Sequence, residues 1–185
     1  KYYKQELSPF GELPPDQYEV VKDLLEQEGR IIGYITGLGV YNRLGLTTQV
    51  SNIIEVGRRQ PKPSIQRGRY KIKFILQKNT ITKDNIPQLQ VLDAIKFIRK
   101  IPDENINESC LKLKDILKSR GQKSQSALMK LVLKYPPSTR ALLGAMLEDL
   151  GVASDPLQKT LNPITNYNYG ISKASLMSMK NWNIT

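Results

Sequence analysis

An alternating stretch at residues 69–76 constrains the fold more than any other feature of the sequence. Its even positions, which begin with Tyr70 and end with Leu76, are all apolar. Its first three odd positions are basic: Arg69, Lys71 and Lys73. Successive side chains of a β-strand point to opposite faces of a sheet, so this pattern predicts a strand with an apolar face toward a core and a basic face opposite.

Helices and shorter strands are predicted around this strand. Runs rich in β-branched residues predict strands at 30–34 and 50–56, and residues 57–68 are expected to form a loop or a hairpin. Apolar residues at helical spacing predict helices between Asp16 and Gly29, from a Thr36 cap to Gly45, after Pro87, from an Asn107 cap to Gly121, over 123–135 and from Pro137 to Gly151.

The order of these elements predicts an α+β fold, with a small mixed sheet and packed helices in the first half and a helical second half. We expect an α/β core at 1–103, a helical part at 104–161 packed on the same core, and an extended tail at 162–185 held by Tyr167, Tyr169 and Trp182. Residues 1–5 are interpreted as the remnant of a missing N-terminal portion.

The types of residue in the chain exclude several kinds of chemistry. Its 185 residues include no histidine and one cysteine, so it cannot form a histidine-based triad, a Cys–His pair, a disulfide framework or a zinc site of the usual kind. Cys110, on the apolar side of a predicted helix, is expected to be a buried, inert thiol. We expect no signal peptide, because Lys1-Tyr2-Tyr3-Lys4 leads into polar sequence, and no apolar run reaches the roughly 18 residues that a membrane span requires. We expect a cytoplasmic protein without a metal or a cofactor.

Two partial motifs allow an enzyme to be considered. Gly37-Leu38-Gly39 lies between a predicted strand and a helix, as in a dinucleotide-binding fingerprint, but Asn42 replaces the third glycine. Close packing of the helix on the sheet is therefore the favoured interpretation. No Asp or Glu is followed two residues later by the lysine that many metal-dependent nucleases use, and the adjacent carboxylates Asp103-Glu104 and Glu148-Asp149 are typical of solvated or capping positions. A nuclease-like enzyme that depends on Glu55 is the weakest alternative.

Positive charge is concentrated in the middle of the chain. The net charge is +11, and residues 58–101 hold 12 basic and 2 acidic side chains. Seven cations between positions 58 and 73 have no acidic residue among them: Arg58, Arg59, Lys62, Arg67, Arg69, Lys71 and Lys73. Alternate residues of a strand are about 6.6–6.8 Å apart, close to the spacing of phosphates along a nucleic-acid strand. These seven residues are the predicted site for nucleic acid or an acidic partner, although a solvated sheet edge explains the row equally well.

Several segments together suggest a family. The two most specific are Leu44-Gly45-Leu46-Thr47-Thr48-Gln49 and Leu92-Asp93-Ala94-Ile95-Lys96. Shorter matches run nearly end to end: Gly11-Glu12-Leu13-Pro14-Pro15, Tyr70-Lys71-Ile72-Lys73-Phe74, Tyr135-Pro136-Pro137, Arg140-Ala141-Leu142-Leu143-Gly144, Leu161-Asn162-Pro163 and Trp182-Asn183-Ile184. With these segments the sequence resembles the AbiEi-type antitoxins of bacterial type IV toxin–antitoxin systems, which act in abortive infection, a form of phage defence.

The resemblance implies a function and partners. Members of the family begin with a winged helix-turn-helix that binds operator DNA, and this chain resembles the C-terminal domain that follows it. Such a domain is expected to neutralise a nucleotidyltransferase-like toxin, by contact or by indirect, functional antagonism, and to assist transcriptional autorepression, with operator DNA bound by the full-length protein. No catalytic residue is carried over from the family. A module that binds an acidic toxin and no nucleic acid is the alternative.

Overall fold

The computed structural model describes residues 16–103 and 105–185, together with the backbone of two short paired strands, β1 (Leu7–Ser8) and β2 (Gly11–Glu12). Residues 1–5, which were interpreted as a remnant of a missing N-terminal portion, lie outside the described residues. The fold is α+β, as predicted. The further strands are β3 (Glu26–Gln27), β4 (Arg30–Ile31), β5 (Gly33–Thr36), β6 (Ile53–Arg58), β7 (Ile65–Arg67) and β8 (Tyr70–Leu76). The helices are α1 (Gln17–Leu25), α2 (Leu38–Arg43), α3 (Ile86–Lys96), α4 (Ile106–Ser119), α5 (Gly121–Leu131), α6 (Pro137–Asp149) and α7 (Asp155–Gln158).

The central sheet is mixed and has the strand order β5-β6-β8-β7. Strand β6 is antiparallel to β5 and parallel to β8, and β7 returns antiparallel to β8. The expected hairpin is present, since Arg67 pairs with Tyr70 across the two-residue turn Gly68-Arg69. Gly68 has a φ of +54°, a conformation that costs glycine little. Strand β8 has neighbours on both sides only where β7 pairs with it, at Tyr70–Ile72, and it is a sheet edge from Lys73 onward. The interpretation of the basic row as a solvated sheet edge therefore fits Lys73 but not Lys71, which lies between β6 and β7.

Each face of this sheet packs against a different helix. We call one face the α1 face: it carries Val56 and Ile72, which are fully buried, and Arg67, which hydrogen-bonds to α1. We call the other the α3 face: it carries Tyr34, Thr36, Glu55, Lys71 and Lys73, and the first two of these hydrogen-bond to Asp93 of α3. The predicted alternation of β8 is thus confirmed, but both of its faces have helical neighbours.

The helical second half shares one hydrophobic core with the sheet. Helix α6 is buried over most of its length, and the tail packs across it through the six-residue 3₁₀ helix Met177–Trp182. Gly144 is essential to this contact, because a β carbon there would collide with the Trp182 ring. Tyr167, Tyr169 and Trp182 are buried, as predicted for the tail.

The carboxylates at the end of α6 hold the tail in place. Glu148 accepts a hydrogen bond from Nε1 of Trp182 at 2.6 Å. Asp149 accepts from the backbone N–H groups of Met177 and Ser178, at 3.0 and 2.8 Å, and from Lys114 at 2.7 Å. These hydrogen bonds keep the pKa of Asp149 below its usual value despite the opposing effect of burial. The pair therefore caps the 3₁₀ helix of the tail rather than a neighbouring helix.

Two predicted helix caps are wrong. Gly37, not Thr36, precedes α2, and the Thr36 hydroxyl donates to Asp93. Asn105, not Asn107, caps α4 by accepting from the backbone N–H of Glu108, whereas Asn107 accepts from the backbone N–H of Ser172 in the tail. In both cases the side chain that the local sequence predicts as a helix cap hydrogen-bonds instead to a residue distant in the sequence.

Candidate partner-binding surfaces of the sheet

The structure divides the seven predicted cations among several environments. Arg67 is part of an internal contact: its guanidinium donates to both carboxylate oxygens of Asp23, at 2.7 and 2.8 Å, and to the Val20 carbonyl at 2.6 Å. The hydrogen bond to Asp23 raises the pKa of Arg67. Because this cation is already paired, it contributes little to an open basic surface.

Arg58 is buried at the end of β6. Only 9% of the residue is exposed, and its Nε has no hydrogen-bond partner among the described residues. Parallel pairing places it beside Leu76, the last residue of β8. Its inclusion in an exposed basic band is therefore wrong, since the side chain turns into the protein on the α1 face.

Arg69 does not belong to the predicted strand row. It lies in the turn before β8, and its guanidinium is 5.2 Å from the centroid of the Tyr70 ring and 3.3 Å from the Tyr70 hydroxyl. Such a cation–π contact holds the arginine against its neighbour. The row of three cations on one strand is thus reduced to Lys71 and Lys73.

Arg59 and Lys62 lie on the exposed loop at residues 59–64, which leaves the sheet where β8 ends. Lys71 is near the beginning of β8, five residues before Leu76, which corresponds to roughly 16 Å along a strand. The predicted band is therefore split between the two ends of β8.

A different basic group forms on the α3 face. Lys71 is exposed and Lys73 is half-buried, and Lys73 lies directly opposite Glu55 in the β6–β8 register. Burial raises the pKa of Glu55, while the positive charges of Lys73 and Lys100 act in the opposite direction. We call Lys71, Lys73 and Lys100 the α3-face lysines.

Lys100 was not predicted from the sequence, because it belongs to a 3₁₀ turn after α3 and shares with Lys73 only an effect on Glu55, which depends on the fold. Its Nζ is 5.4 Å from the centroid of the Phe97 ring, and that of Lys96 is 4.8 Å from the same ring. The weak signal available in the sequence was two lysines flanking an aromatic residue near the end of an apolar helix. Both ammonium groups are therefore held beside the Phe97 ring.

A buried polar network lies beneath this face. Asp93 is 2% exposed, and its carboxylate accepts hydrogen bonds from the hydroxyls of Tyr34, Thr36 and Tyr135 at 2.7, 2.9 and 2.9 Å. Gln77 Nε2 donates to both tyrosine hydroxyls, at 2.9 and 2.8 Å. Burial raises the pKa of Asp93, partly offset by the hydroxyl donors. The network joins β5, the residue that follows β8, α3 and the segment before α6.

The glycines of the partial dinucleotide motif are explained by packing. Gly37 has a φ of +76°, and a β carbon there would collide with the Glu55 carboxylate. A β carbon on Gly39 would lie 2.7 Å from Oε1 of Gln17. The favoured interpretation of close packing agrees with these contacts, and α2 has only six residues.

One further concave region lies at the outer edge of β5. A cleft of about 570 Å³ is bordered by Gly33 and Ile35 of that strand, by Asn42 of α2 and by Ile86 and Gln90 of α3. Gln90 Nε2 donates to the Ile35 carbonyl at 2.9 Å, in the position that a neighbouring strand would otherwise take. The charged residues around the cleft have both signs: Asp16, Glu26, Arg43 and Lys83. Their mixture does not favour an ionic ligand.

Within residues 16–103 and 105–185, no three His, Cys, Asp or Glu side chains are grouped so that they could hold a metal ion. Cys110 is buried, and burial raises its pKa to about 12, so this thiol is protonated at neutral pH. No helix in the described part of the chain is long and apolar enough to span a bilayer.

Comparison of the chain with models of protein families, with curated proteins and with solved structures gave no match in any of the three. Function must therefore be inferred from the surfaces that these residues form.

Proposed function

We propose that this chain is a non-enzymatic binding domain of an AbiEi-type antitoxin and transcriptional autorepressor. In this role it neutralises a nucleotidyltransferase-like toxin and supports the binding of operator DNA in the cytoplasm. The observation that carries the DNA-binding part is the grouping of the α3-face lysines on one side of the sheet.

The geometry of these lysines suits a phosphate backbone. Lys71 and Lys73 are two residues apart on a strand that pairs with β6 at both positions, so their α carbons are about 6.6–6.8 Å apart along a regular element. Lysine acts on phosphate as a point charge and needs no fixed fork geometry. Glu55 beside Lys73 lowers the local positive charge, which favours modest, sequence-independent contact over tight binding.

The segments behind the family resemblance lie close to this surface. Leu92-Asp93-Ala94-Ile95-Lys96 forms the end of α3, so it contributes both Asp93 of the buried network and Lys96 beside Phe97. Tyr135, from the Tyr135-Pro136-Pro137 segment, donates to the same carboxylate. Two of the segments that carry the family resemblance thus meet in the buried network beneath the α3 face, which supports the proposal.

Salt dependence of DNA binding tests the DNA-binding part. Three lysine–phosphate contacts should give log K against log[salt] a slope of about −2.7 for a labelled DNA duplex. The triple variant K71E/K73E/K100E should bind more weakly and flatten that slope. The matched control K118E/K130E/K159E changes the charge equally at exposed lysines outside this group. Equal slopes for the wild type and the α3-face variant would remove these lysines from a DNA interface.

A protein-interaction module without nucleic-acid contact is the second candidate function. It is favoured by the internal pairing of Arg67 and the burial of Arg58, which leave fewer cations open to DNA than the sequence contains. Binding of the chain to the nucleotidyltransferase-like toxin, together with the absence of a mobility shift with operator DNA, would decide for this candidate.

A further inference from the structure

The N-terminal turn of the 13-residue helix α6 has more hydrogen-bond donors than acceptors. Pro136 and Pro137 begin the helix, no side chain caps it, and its first turn contains no acidic residue. The backbone N–H groups of Thr139 and Arg140 donate to the Pro136 carbonyl at 3.0 and 3.2 Å, whereas no described residue accepts from the N–H of Ser138. A helix end of this kind attracts negative charge.

Two buried side-chain donors that belong to this region also lack an acceptor. Tyr167 is 8% exposed, and its hydroxyl has no hydrogen-bond partner in the described part of the chain. Nε of Arg140 is likewise buried without a described partner, although Nη1 of the same guanidinium donates to the Thr160 carbonyl at 3.1 Å. Because buried polar groups are nearly always paired, neighbouring donors without acceptors indicate that a bound group supplies the acceptor.

The tail brings Tyr167 to the first turn of α6. Residues 166–170 alternate between exposed and buried, and Tyr167 forms a parallel bridge with Ile184, so this segment is extended and the tyrosines at 167 and 169 share one face. Burial raises the pKa of the Tyr169 hydroxyl, while a hydrogen bond with the Ser138 side chain and the charge of Arg99 act in the opposite direction. The shared face of the two tyrosines therefore lies against the beginning of α6.

Arg140 meets the tail from the helix. It precedes Gly144 by four residues and so lies on the same side of α6, the side against which the Trp182 ring packs. The backbone N–H of Tyr167 donates to the carbonyl of Asn183, the residue after that tryptophan, at 2.7 Å. Arg140 and Tyr167 are therefore both next to the last residues of the tail.

The segments that meet at this turn carry only positive charge. Residues 94–102, 134–147 and 156–185 contain no Asp or Glu. Their eight basic residues are Lys96, Arg99, Lys100, Lys134, Arg140, Lys159, Lys173 and Lys180. Ser138 is half-buried and Arg99 is exposed, so solvent reaches the turn. An anion that enters there meets no acidic side chain from these three segments.

We propose that the N-terminal turn of α6 binds a phosphate group. The phosphate accepts hydrogen bonds from the backbone N–H of Ser138, from the Tyr167 hydroxyl and from Nε of Arg140. Arg99, whose Nη1 donates to the Asn168 carbonyl at 3.1 Å, adds positive charge from the solvent side. We call Arg99, Ser138, Arg140 and Tyr167 the α6 phosphate site. The inference is independent of the antitoxin proposal, because none of these residues belongs to the α3-face lysines.

A phosphate fits these donors better than a carboxylate does. Its oxygens are arranged tetrahedrally and can accept from donors that come from a helix, a tail and a turn, whereas a carboxylate offers two oxygens in one plane. Arginine and helix N-termini are both common phosphate ligands. A free phosphate or nucleotide and the backbone of DNA present the same group, and the experiment separates these sources.

The test titrates inorganic phosphate into the full chain and follows the backbone amide of Ser138 by NMR. Y167F removes only the unpaired hydroxyl, so it should weaken phosphate binding about threefold or more without lowering the stability of the free chain. R140M should weaken binding about tenfold or more, since a charge-assisted hydrogen bond is lost. The controls Y18F and R59M remove the same groups at exposed positions outside the site and should bind as the wild type does.

A nucleoside monophosphate and a labelled DNA duplex serve as second and third probes. Weaker binding of the duplex by Y167F and R140M would assign the phosphate to the DNA backbone, whereas a loss confined to the two small probes would assign it to a free phosphate or nucleotide. Unchanged affinity of Y167F for all three probes, whatever the result for R140M, would overturn the site, as would a wild type that binds none of them. The salt slope of K71E/K73E/K100E tests the proposed DNA surface separately, so either proposal can fail without the other.

Discussion

The two faces of the central sheet treat a buried charged residue in opposite ways. On the α3 face, Asp93 is 2% exposed and accepts hydrogen bonds from three hydroxyl groups. On the α1 face, Arg58 is 9% exposed and its Nε has no partner among the described residues. Burial alone therefore does not tell whether a polar side chain stabilises the fold. The number of its hydrogen-bond partners does.

This difference separates a polar group that stabilises the fold from one that does not. A network in which each member has a partner fixes the relative positions of the elements it joins, here β5, β8 and α3. A buried cationic group without a partner lowers stability. On the α3 face the buried polar groups therefore stabilise the fold, whereas on the α1 face Nε of Arg58 does not.

Removal of the Asp93 carboxylate should have the largest effect on stability. D93A leaves the hydroxyls of Tyr34, Thr36 and Tyr135 without their acceptor in the core, which should cost about 3 kcal/mol of unfolding free energy. Urea denaturation followed by circular dichroism measures this loss. D93N, which keeps one acceptor oxygen, is the control and should lose about half as much. A loss below about 1 kcal/mol in D93A would show that the network adds little stability.

Sequence patterns predicted the elements of this fold better than their contacts. The alternation at residues 70–76 identified the interior strand of the sheet, and helical spacing identified α1, α3, α4 and α6. Asp93 was not predicted as the centre of a network, because its partners come from positions 34, 36 and 135. The one local signal was a carboxylate inside the apolar run Val91–Ile95, where all five residues are buried.

The candidate site was harder to predict for the same reason. Arg58 and Arg67 are both basic residues at strand ends, yet only Arg67 meets a carboxylate, that of Asp23, which is 44 positions away in sequence. Charge counted along the chain records neither pairing nor burial. The charge count grouped cations that folding separates to different faces and to opposite ends of β8.

The pH dependence of stability should distinguish Asp93 from the rest of the network. Burial raises the folded-state pKa of Asp93 above its unfolded value near 3.8, so the folded state binds more protons than the unfolded state between those two pKa values. Stability should therefore fall as pH rises above about 4, by at most about 1.4 kcal/mol per pH unit from this group. In D93N this contribution should be absent. Parallel stability curves for wild type and D93N between pH 4 and 7 would contradict the direction of the shift.

Replacement of the two arginines of the α1 face should change the unfolding free energy least. The two replacements should change it in opposite directions. R58M removes a guanidinium whose Nε is buried without a hydrogen-bond partner and should raise the unfolding free energy of the free chain by about 1 kcal/mol. R67M leaves Asp23 and the Val20 carbonyl without their donor, in a partly exposed contact, and should lower it by about 0.5–1 kcal/mol. Both variants carry the same substitution on the same face of the sheet, so side-chain volume and net charge cancel in the comparison. If both variants lost the same unfolding free energy, the Arg58 guanidinium would already be compensated inside the fold. Removal of a group that lowers stability raises the unfolding free energy and does not lower it.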